Sequence, residues 1–164
     1  VHGSDSQMLS WLSLANTYLE NLINELPIND FIHIFLRSVG AIFFQYNDLS
    51  GFLILAGIFI YSRISFALCF YGFTAGFLFY QYFHGDFSQL IYSYIGFNFI
   101  LTAIALGGFF IVPSIKSHAT VVIGSCFIAL LIGALTTLLS PFHLPIYSLP
   151  FIIIVLFIIT YNHL

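Results

Sequence analysis

The chain has 164 residues, of which 60% are hydrophobic, 20% are aromatic and only 5% are charged, with a net charge of −3. A soluble domain carries roughly 25% charged residues, so this chain lacks the side chains needed to cover a water-facing surface. Its three basic residues, Arg37, Arg63 and Lys116, are scattered along the sequence, which excludes nucleic-acid binding and a polybasic lipid anchor. We therefore predict an integral, multi-pass protein of the cell or inner membrane.

The N-terminal segment differs from the rest of the chain. Apolar side chains recur at helical spacing over Trp11–Leu26, with polar residues between them, which predicts an amphipathic helix that ends at Pro27. We interpret it as a helix packed on the edge of a bundle; the alternative is an interfacial or partner-binding helix, although its polar face has no Lys or Arg. Residues 1–30 are thus predicted to be an extension, and residues 31–164 the membrane domain.

Four segments approach the ~20 apolar residues that a spanning helix needs: Phe66–Phe83, Ile91–Val112, Ala119–Leu139 and Leu144–Tyr161. The runs Phe31–Tyr46 and Leu49–Ser62 are shorter or mixed, and together they predict one bent or broken pass. Breaks fall at the polar or turn-forming sequences NDLSG, SR, HGD, PSIKSH and SPFHLP. Within Phe66–Phe83, Gly72 and Gly76 have the spacing that lets two helices approach closely.

One amide lies deep in an apolar run. Asn98 is near the middle of Ile91–Ile111, and no charged residue occurs between Phe87 and Ile115. An unpaired amide in hydrocarbon costs roughly 2–7 kcal/mol. Asn98 is therefore expected either to be buried against polar partners or to line a wet cavity.

The isolated polar residues do not indicate catalysis. The chain has six histidines, which are His2, His33, His84, His118, His143 and His163. They lie in loops and at helix ends without the close spacing of a metal motif, so we expect no metal or other cofactor. Asp30, His33 and Arg37 have the spacing of one helix face and predict a polar interfacial cluster. No nucleophile–base arrangement is present, so an enzyme is not expected; a membrane enzyme or haem protein using His33, His84 or His143 is the weakest hypothesis.

Three segments combine Gly, Pro, Asn and aromatic residues: FLRSVGAIFFQYNDLSGFLILAGIFIYS (Phe35–Ser62), GFNFILTAIALGGFF (Gly96–Phe110) and LPIYSLPF (Leu144–Phe151). The first resembles the opening motif of a urea transporter repeat: Leu-Arg-Gly, a Gln or Glu, a Phe, an Asn, and a Gly that starts a helix. The others resemble the family's Gly-Phe-Asn-Gly-x-Leu and Leu-Pro-x-x-Thr-x-Pro-Phe segments, in the same order. The resemblance covers about Phe31–Tyr161 and leaves out the amphipathic Ser6–Leu26.

The resemblance implies two homologous halves of opposite orientation around a narrow pore. Each half has an all-α, polytopic membrane fold of about five transmembrane helices plus a re-entrant half-helix. In that fold Gly96, Phe97 and Asn98 begin the half-helix, and Asn98 faces freed backbone groups and pore water instead of lipid, where irregular backbone is allowed.

By motif position, the resemblance also implies a substrate-binding slot for urea. Phe44 and Phe97 would be its aromatic faces, Leu101 a wall, and Ser148 the central hydroxyl where the family usually has Thr; Asn98 completes the predicted pore residues. Two parallel aromatic faces admit a flat neutral molecule and reject a hydrated ion, because the ion's desolvation is not compensated there.

Several positions depart from the family pattern. Ala41 occupies the possible mouth position of a Gln or Glu, while Phe99 and Ala103 replace glycines near the slot. Tyr46 and Asp48 stand where Asn and Pro are usual. The lost mouth acceptor and the added phenyl ring predict a narrowed, retuned or closed pore.

The chain holds one repeat, whereas a full transporter needs two. Either copies associate as a dimer of opposed repeats or a higher homo-oligomer, or a second half lies outside this sequence, which begins at Val1 as a processed or trimmed chain would. Three basic residues give little orientation bias, although Arg63 and Lys116 on one side would leave a weak preference. The predicted function is a passive channel half in the lipid bilayer for urea or a similar small neutral solute; the alternative is a non-conducting membrane anchor or scaffold.

Overall fold

The computed structural model describes residues 10–15, 17–18, 21, 30–84, 96–111 and 114–163. Within these residues the regular elements are helical, which confirms the all-α class. They are α1 (Asp30–Ala41), α2 (Asp48–Tyr61), α3 (Arg63–His84), α4 (Phe97–Ile104), α5 (Ile115–Leu139) and α6 (Leu149–His163), with a π-helical turn at Ala105–Phe109 and a short 3-10 turn at Ser140–Phe142.

The predicted broken pass consists of α1 and α2. A turn at residues 42–47 separates them, and the Asn47 side chain caps α2 by accepting a hydrogen bond from Ser50 N–H at 2.7 Å. The helices touch closely at Gly51, where an added Cβ would collide with the Leu36 carbonyl. Asn47 begins a new helix that folds back against the first, so α1 and α2 form a helical hairpin instead of the one bent or broken pass expected from the sequence.

The helices α3 and α4 are antiparallel neighbours. A Cβ at Gly72 would collide with Ala103, and one at Gly76 would collide with the Phe99 ring, so both glycines serve the close approach that their spacing predicts. Phe99 is 0% exposed. This placement corrects the expectation that Phe99 narrows a pore, since its ring fills a groove of α3 inside the bundle.

Aromatic side chains form the core where α1, α3 and α4 meet. The ring centroids of Phe31 and Phe35 lie 5.5 and 5.2 Å from that of Phe73, and Phe73 meets Phe99 edge-on at 6.3 Å. Such pairs contribute roughly 0.5–1.5 kcal/mol beyond their burial. They anchor the first turn of α4 to two other helices.

Helix length departs from the predicted spans. Two helices, Arg63–Phe83 and Lys116–Phe142, are long and apolar enough to cross a bilayer, whereas three apolar helices are shorter: Asp48–Tyr61, Phe97–Phe109 and Leu149–Tyr161. Two predictions are corrected: the helix expected from Ile91 begins at Phe97, with residues 91–95 outside the described part, and the helix expected from Leu144 begins at Leu149. Each of the three shorter helices is roughly 20 Å long, which is less than the ~30 Å thickness of the hydrocarbon core.

After Ile104 the helix widens into a π turn. The N–H of Phe110 donates to the carbonyl five residues earlier at 2.8 Å. Such turns are sites where the regular backbone pattern is interrupted, and here the buried Ser117 hydroxyl of α5 donates to the carbonyls of Leu106 and Gly107, at 3.4 Å each. A hydroxyl from the neighbouring helix therefore supports the widened turn.

The described residues of the N-terminal segment are helical, as predicted. Trp11, Leu12 and Tyr18 are exposed. The preferred interpretation, in which this apolar face packs on the bundle, is therefore wrong for these residues, and the interfacial or partner-binding alternative stands.

Candidate functional site

Asn98 joins the beginnings of α4 and α6. Its side chain is fully buried; Nδ2 donates to the Tyr147 carbonyl at 3.0 Å, and Oδ1 accepts from the Phe151 N–H at 3.3 Å. Because a carbonyl only accepts and an N–H only donates, these partners fix the orientation of the amide. Of the two alternatives drawn from the sequence, the structure supports burial against polar partners, which removes the cost of an unpaired amide.

The two short helices run in the same direction from this junction. Their first turns meet at Asn98 and Phe151, and further along Thr102 of α4 and Ile158 of α6 both approach Gly124 of α5. Two helix N-termini therefore lie side by side, and each carries about half a positive charge from its backbone dipoles.

This junction lies partway along α3. Phe99, in the first turn of α4, contacts Gly76, and α3 continues to His84, which is roughly 12 Å further at 1.5 Å per residue. The N-terminus of α4 is thus inside the bundle. The expected half-helix beginning near Gly96 is confirmed, although the connecting residues 85–95 lie outside the described part.

Gly96 is required by the close approach of α1. An added Cβ would collide with the Ser38 hydroxyl and would lie 3.0 Å from Cε2 of Phe73. A larger residue at this position would push the start of α4 away from the aromatic core. The glycine of the Gly-Phe-Asn motif therefore sets the depth at which α4 begins.

Three of the predicted pore residues lie at the junction. Phe97 is the first residue of α4, and Leu101 follows four residues later on the same side of the helix. Ser148 directly follows Tyr147, whose carbonyl binds Asn98. Phe97, Leu101 and Ser148 are half-buried, in contrast to the fully buried Asn98.

Phe44 lies in the turn after α1 and is 68% exposed. Its φ of 59° is unusual for a bulky residue, and holding such a residue in the left-handed region costs on the order of 1–2 kcal/mol. Tyr147, which precedes Ser148, has a φ of 44°. Backbone strain of this kind clusters at functional sites, and here it occurs at one predicted slot residue and beside another.

Ala41, the possible mouth position, is the last residue of α1 and is 2% exposed. Its methyl group lies inside the protein, which differs from the expected solvent-facing mouth. An amide side chain at this position would have to be buried.

The comparison with known families decides among the interpretations of this site. The sequence matches the family model described as urea transporter over residues 5–163. The chain belongs to the urea transporter family. The match begins at residue 5, so it also includes the amphipathic segment that our motif comparison left out. Urea transporters are integral, multi-pass membrane proteins that act as channels for urea, and not enzymes.

This urea transporter chain also contains a buried carboxylate whose partners were predicted wrongly. Asp48 is 5% exposed and lies 2.9 Å from Nδ1 of His33; it accepts hydrogen bonds from Arg37 Nε at 3.1 Å and Arg37 Nη2 at 3.4 Å. The sequence pattern had assigned Asp30 to this cluster. One signal favoured Asp48: it begins α2, where the helix dipole favours an acid. The cluster holds α1 against α2.

The remaining histidines do not assemble a metal centre in the part of the chain that the structure describes, where no three potential ligands lie together. His33 is bound to Asp48. His143 is exposed in the turn after Phe142, and the His84 side chain lies outside the described residues.

Proposed function

We propose that this chain forms one half of a passive pore for urea or a similar small neutral solute, with a second repeat supplied by another copy. The proposal rests mainly on the Asn98 junction. Its hydrogen bonds hold the first residues of two short helices together inside the bundle, and the half-buried Phe97, Leu101 and Ser148 surround it. Half-helices that begin at mid-depth are the usual setting of solute sites in membrane proteins.

The chemistry of these groups suits urea, which is flat and neutral and has four N–H donors and one carbonyl acceptor. Phenyl faces of Phe97 and Phe44 would contact the flat molecule, and the Ser148 hydroxyl would exchange hydrogen bonds with it. The positive ends of α4 and α6 repel cations and favour a carbonyl oxygen. An anion would still have to lose its hydration shell in an apolar slot, which is costly.

A second repeat is needed because one repeat presents only one wall, and another copy of the chain can supply it. The Phe44 ring is exposed on the surface, so the opposing face would come from another chain. Since the chain has only three basic residues, the charge bias that fixes orientation is weak, and insertion in both directions is feasible. Cysteines placed at Phe44 or Leu101 should cross-link into dimers in membranes.

The decisive experiment measures flux of urea, water, glycerol and acetamide into proteoliposomes. Phe97→Ala should relax discrimination against the bulkier solutes, because one slot face is lost. Phe157→Ala is the matched control: it removes an exposed phenyl from α6 and should leave selectivity unchanged. Equal effects of the two variants, or folded wild-type protein without flux above empty liposomes, would refute the proposal.

The alternative is a non-conducting anchor or scaffold. It is favoured by Ala41, a buried residue at the position where the family has a Gln or Glu mouth acceptor. A protein that stays monomeric in lipid and carries no solute would support this alternative.

A further inference from the structure

An open groove of about 640 Å³ lies between the first turns of α3 and α5, and its lining residues are Arg63, Ile64, Ala67, Leu68, Tyr71 and His118. The two helices run in the same direction: Tyr71 meets His118 with ring centroids 6.2 Å apart, and further along Phe79 and Cys126 line a second groove. Both helices therefore begin toward the same side of the membrane, with Arg63 roughly 9 Å beyond Lys116 along the helix axis.

Basic side chains are concentrated at this face. Arg63 is the first residue of α3, and Lys116 shares the first turn of α5 with His118, while neither first turn contains an acid. Cations at a helix N-terminus are disfavoured by the helix dipole. The fold therefore places Arg63 on the groove and Lys116 beside it in the first turn of α5, although the two are far apart in the sequence.

No carboxylate of the described residues neutralises this end. The two ion pairs within the described residues are both made by Asp48 of α2, with His33 and Arg37 of α1. Among the described residues Arg63 and Lys116 make no ion pair, so this end can accept an external anion.

Below the charges the groove is apolar. Ile64 and Tyr71 are exposed along its walls, and Leu68 is buried. From Arg63 to Tyr71 the groove follows α3 for roughly 12 Å. This combination of a cationic rim and an apolar channel matches an amphiphile with an anionic headgroup.

We propose that this groove binds an anionic phospholipid. The phosphate lies at Arg63 and Lys116, with His118 as a further hydrogen-bonding group, and one acyl chain follows Ala67 and Leu68. Basic pockets between transmembrane helices are known to suit such headgroups. A second copy of the chain fits less well, since a symmetric contact would oppose like charges.

The test uses the purified full chain in mild detergent, with native mass spectrometry to measure retention of phosphatidylglycerol and of phosphatidylcholine with identical acyl chains. Wild-type protein should prefer phosphatidylglycerol. Arg63→Gln and Lys116→Gln should each weaken that preference about fivefold, given the usual contribution of one basic residue near an anionic surface. Phe127→Ala, in the uncharged second groove, is the matched control and should leave the preference unchanged.

Two measurements on wild-type protein keep the proposal testable if a variant does not fold. Raising salt to about 1 M, where the Debye length falls to about 3 Å, should reduce the preference. A photoactivatable phosphatidylglycerol should label Ala67–Tyr71. Equal retention of both lipids, displacement by glycerol phosphate alone, labelling near Phe127 instead, or disulfide dimers of an Ala67→Cys variant would each overturn the proposal.

Discussion

Two buried polar residues, Asn98 and Asp48, each join two helices, and the chemistry of the two sites differs. Asn98 is fully buried and neutral, and it binds two backbone groups. Asp48 is charged, and its partner Arg37 is 39% exposed. A charge is expensive where water is absent, so the fully buried junction uses an amide, while the carboxylate is used where one partner still reaches the surface. Access to water therefore decides which polar group can hold the chain.

Replacing the amide should have the largest effect on stability. Asn98→Leu removes the partner of the Tyr147 carbonyl and of the Phe151 N–H in two part-buried hydrogen bonds, and an orphaned group costs about 1–3 kcal/mol where water is excluded. We expect a loss of about 4 kcal/mol in the free energy of unfolding in detergent, together with loss of urea flux. Asn98→Asp should destabilise at least as much, because an ionised carboxylate would be buried against the Tyr147 carbonyl oxygen. Equal stability of Asn98→Leu and wild type would contradict the role of the junction.

Removal of the buried charge should come next. Asp48→Asn leaves Arg37 and His33 without their anionic partner. We expect the free energy of unfolding to fall by about 3 kcal/mol. This is the lower end of the range for a buried ion pair, because Arg37 is part-exposed. Denaturant unfolding in mixed micelles measures it. The control is Asp30→Asn on the exposed start of α1, expected to change stability by less than about 0.5 kcal/mol. If both variants lose the same stability, the ion pairs of Asp48 are not responsible.

Packing can be separated from hydrogen bonding at the start of α4. Gly76→Ala should cost about 2 kcal/mol, because the new methyl collides with the Phe99 ring. Gly57→Ala, where an added Cβ meets open space, should instead raise stability by up to about 1 kcal/mol through helix propensity. Thermal unfolding of the two variants checks both signs. Phe99→Leu should partly rescue Gly76→Ala; a lack of rescue would show that the collision is elsewhere.

The smallest effect is expected at Ser148, whose predicted hydrogen bond goes to the solute. Ser148→Ala removes a bond worth roughly 0.5–1.5 kcal/mol, so urea flux should fall by a few-fold to about tenfold while water flux and stability stay unchanged. Ser148→Thr keeps the hydroxyl and should retain flux. Stopped-flow shrinkage of proteoliposomes measures both. A Ser148→Ala variant that conducts urea at the wild-type rate would remove Ser148 from the proposed pore.

The family resemblance predicted the start of α4. The Gly96-Phe97-Asn98 motif implies a half-helix that begins near Gly96, and the structure confirms a helix that begins at Phe97 with Asn98 buried. Contacts between distant helices could not be predicted in this way. Phe99 is buried because Gly76 of another helix leaves room for it, and Asp48 reaches Arg37 only because α2 folds back on α1.

Helix length was also misjudged from composition. Two apolar runs of the sequence start several residues before the helices α4 and α6 begin. Backbone geometry accounts for the start of α6, which the left-handed Tyr147 precedes; Gly96, before α4, has a right-handed helical backbone. Apolar composition therefore indicates that a segment lies in the membrane, but it does not give the length of its helix.

The π turn at Ala105–Phe109 has a consequence for the rotational phase of α4. The extra residue in this turn shifts everything before it by one position, or about 100° around the helix axis, relative to an uninterrupted α-helix anchored at its far end. Deleting one residue there would leave the apolar composition intact, but the phase set by the turn would then conflict with the phase that the Asn98 hydrogen bonds and the Phe99–Gly76 contact impose on the first turn of α4. Sequence changes in the turn therefore act on the junction without touching it.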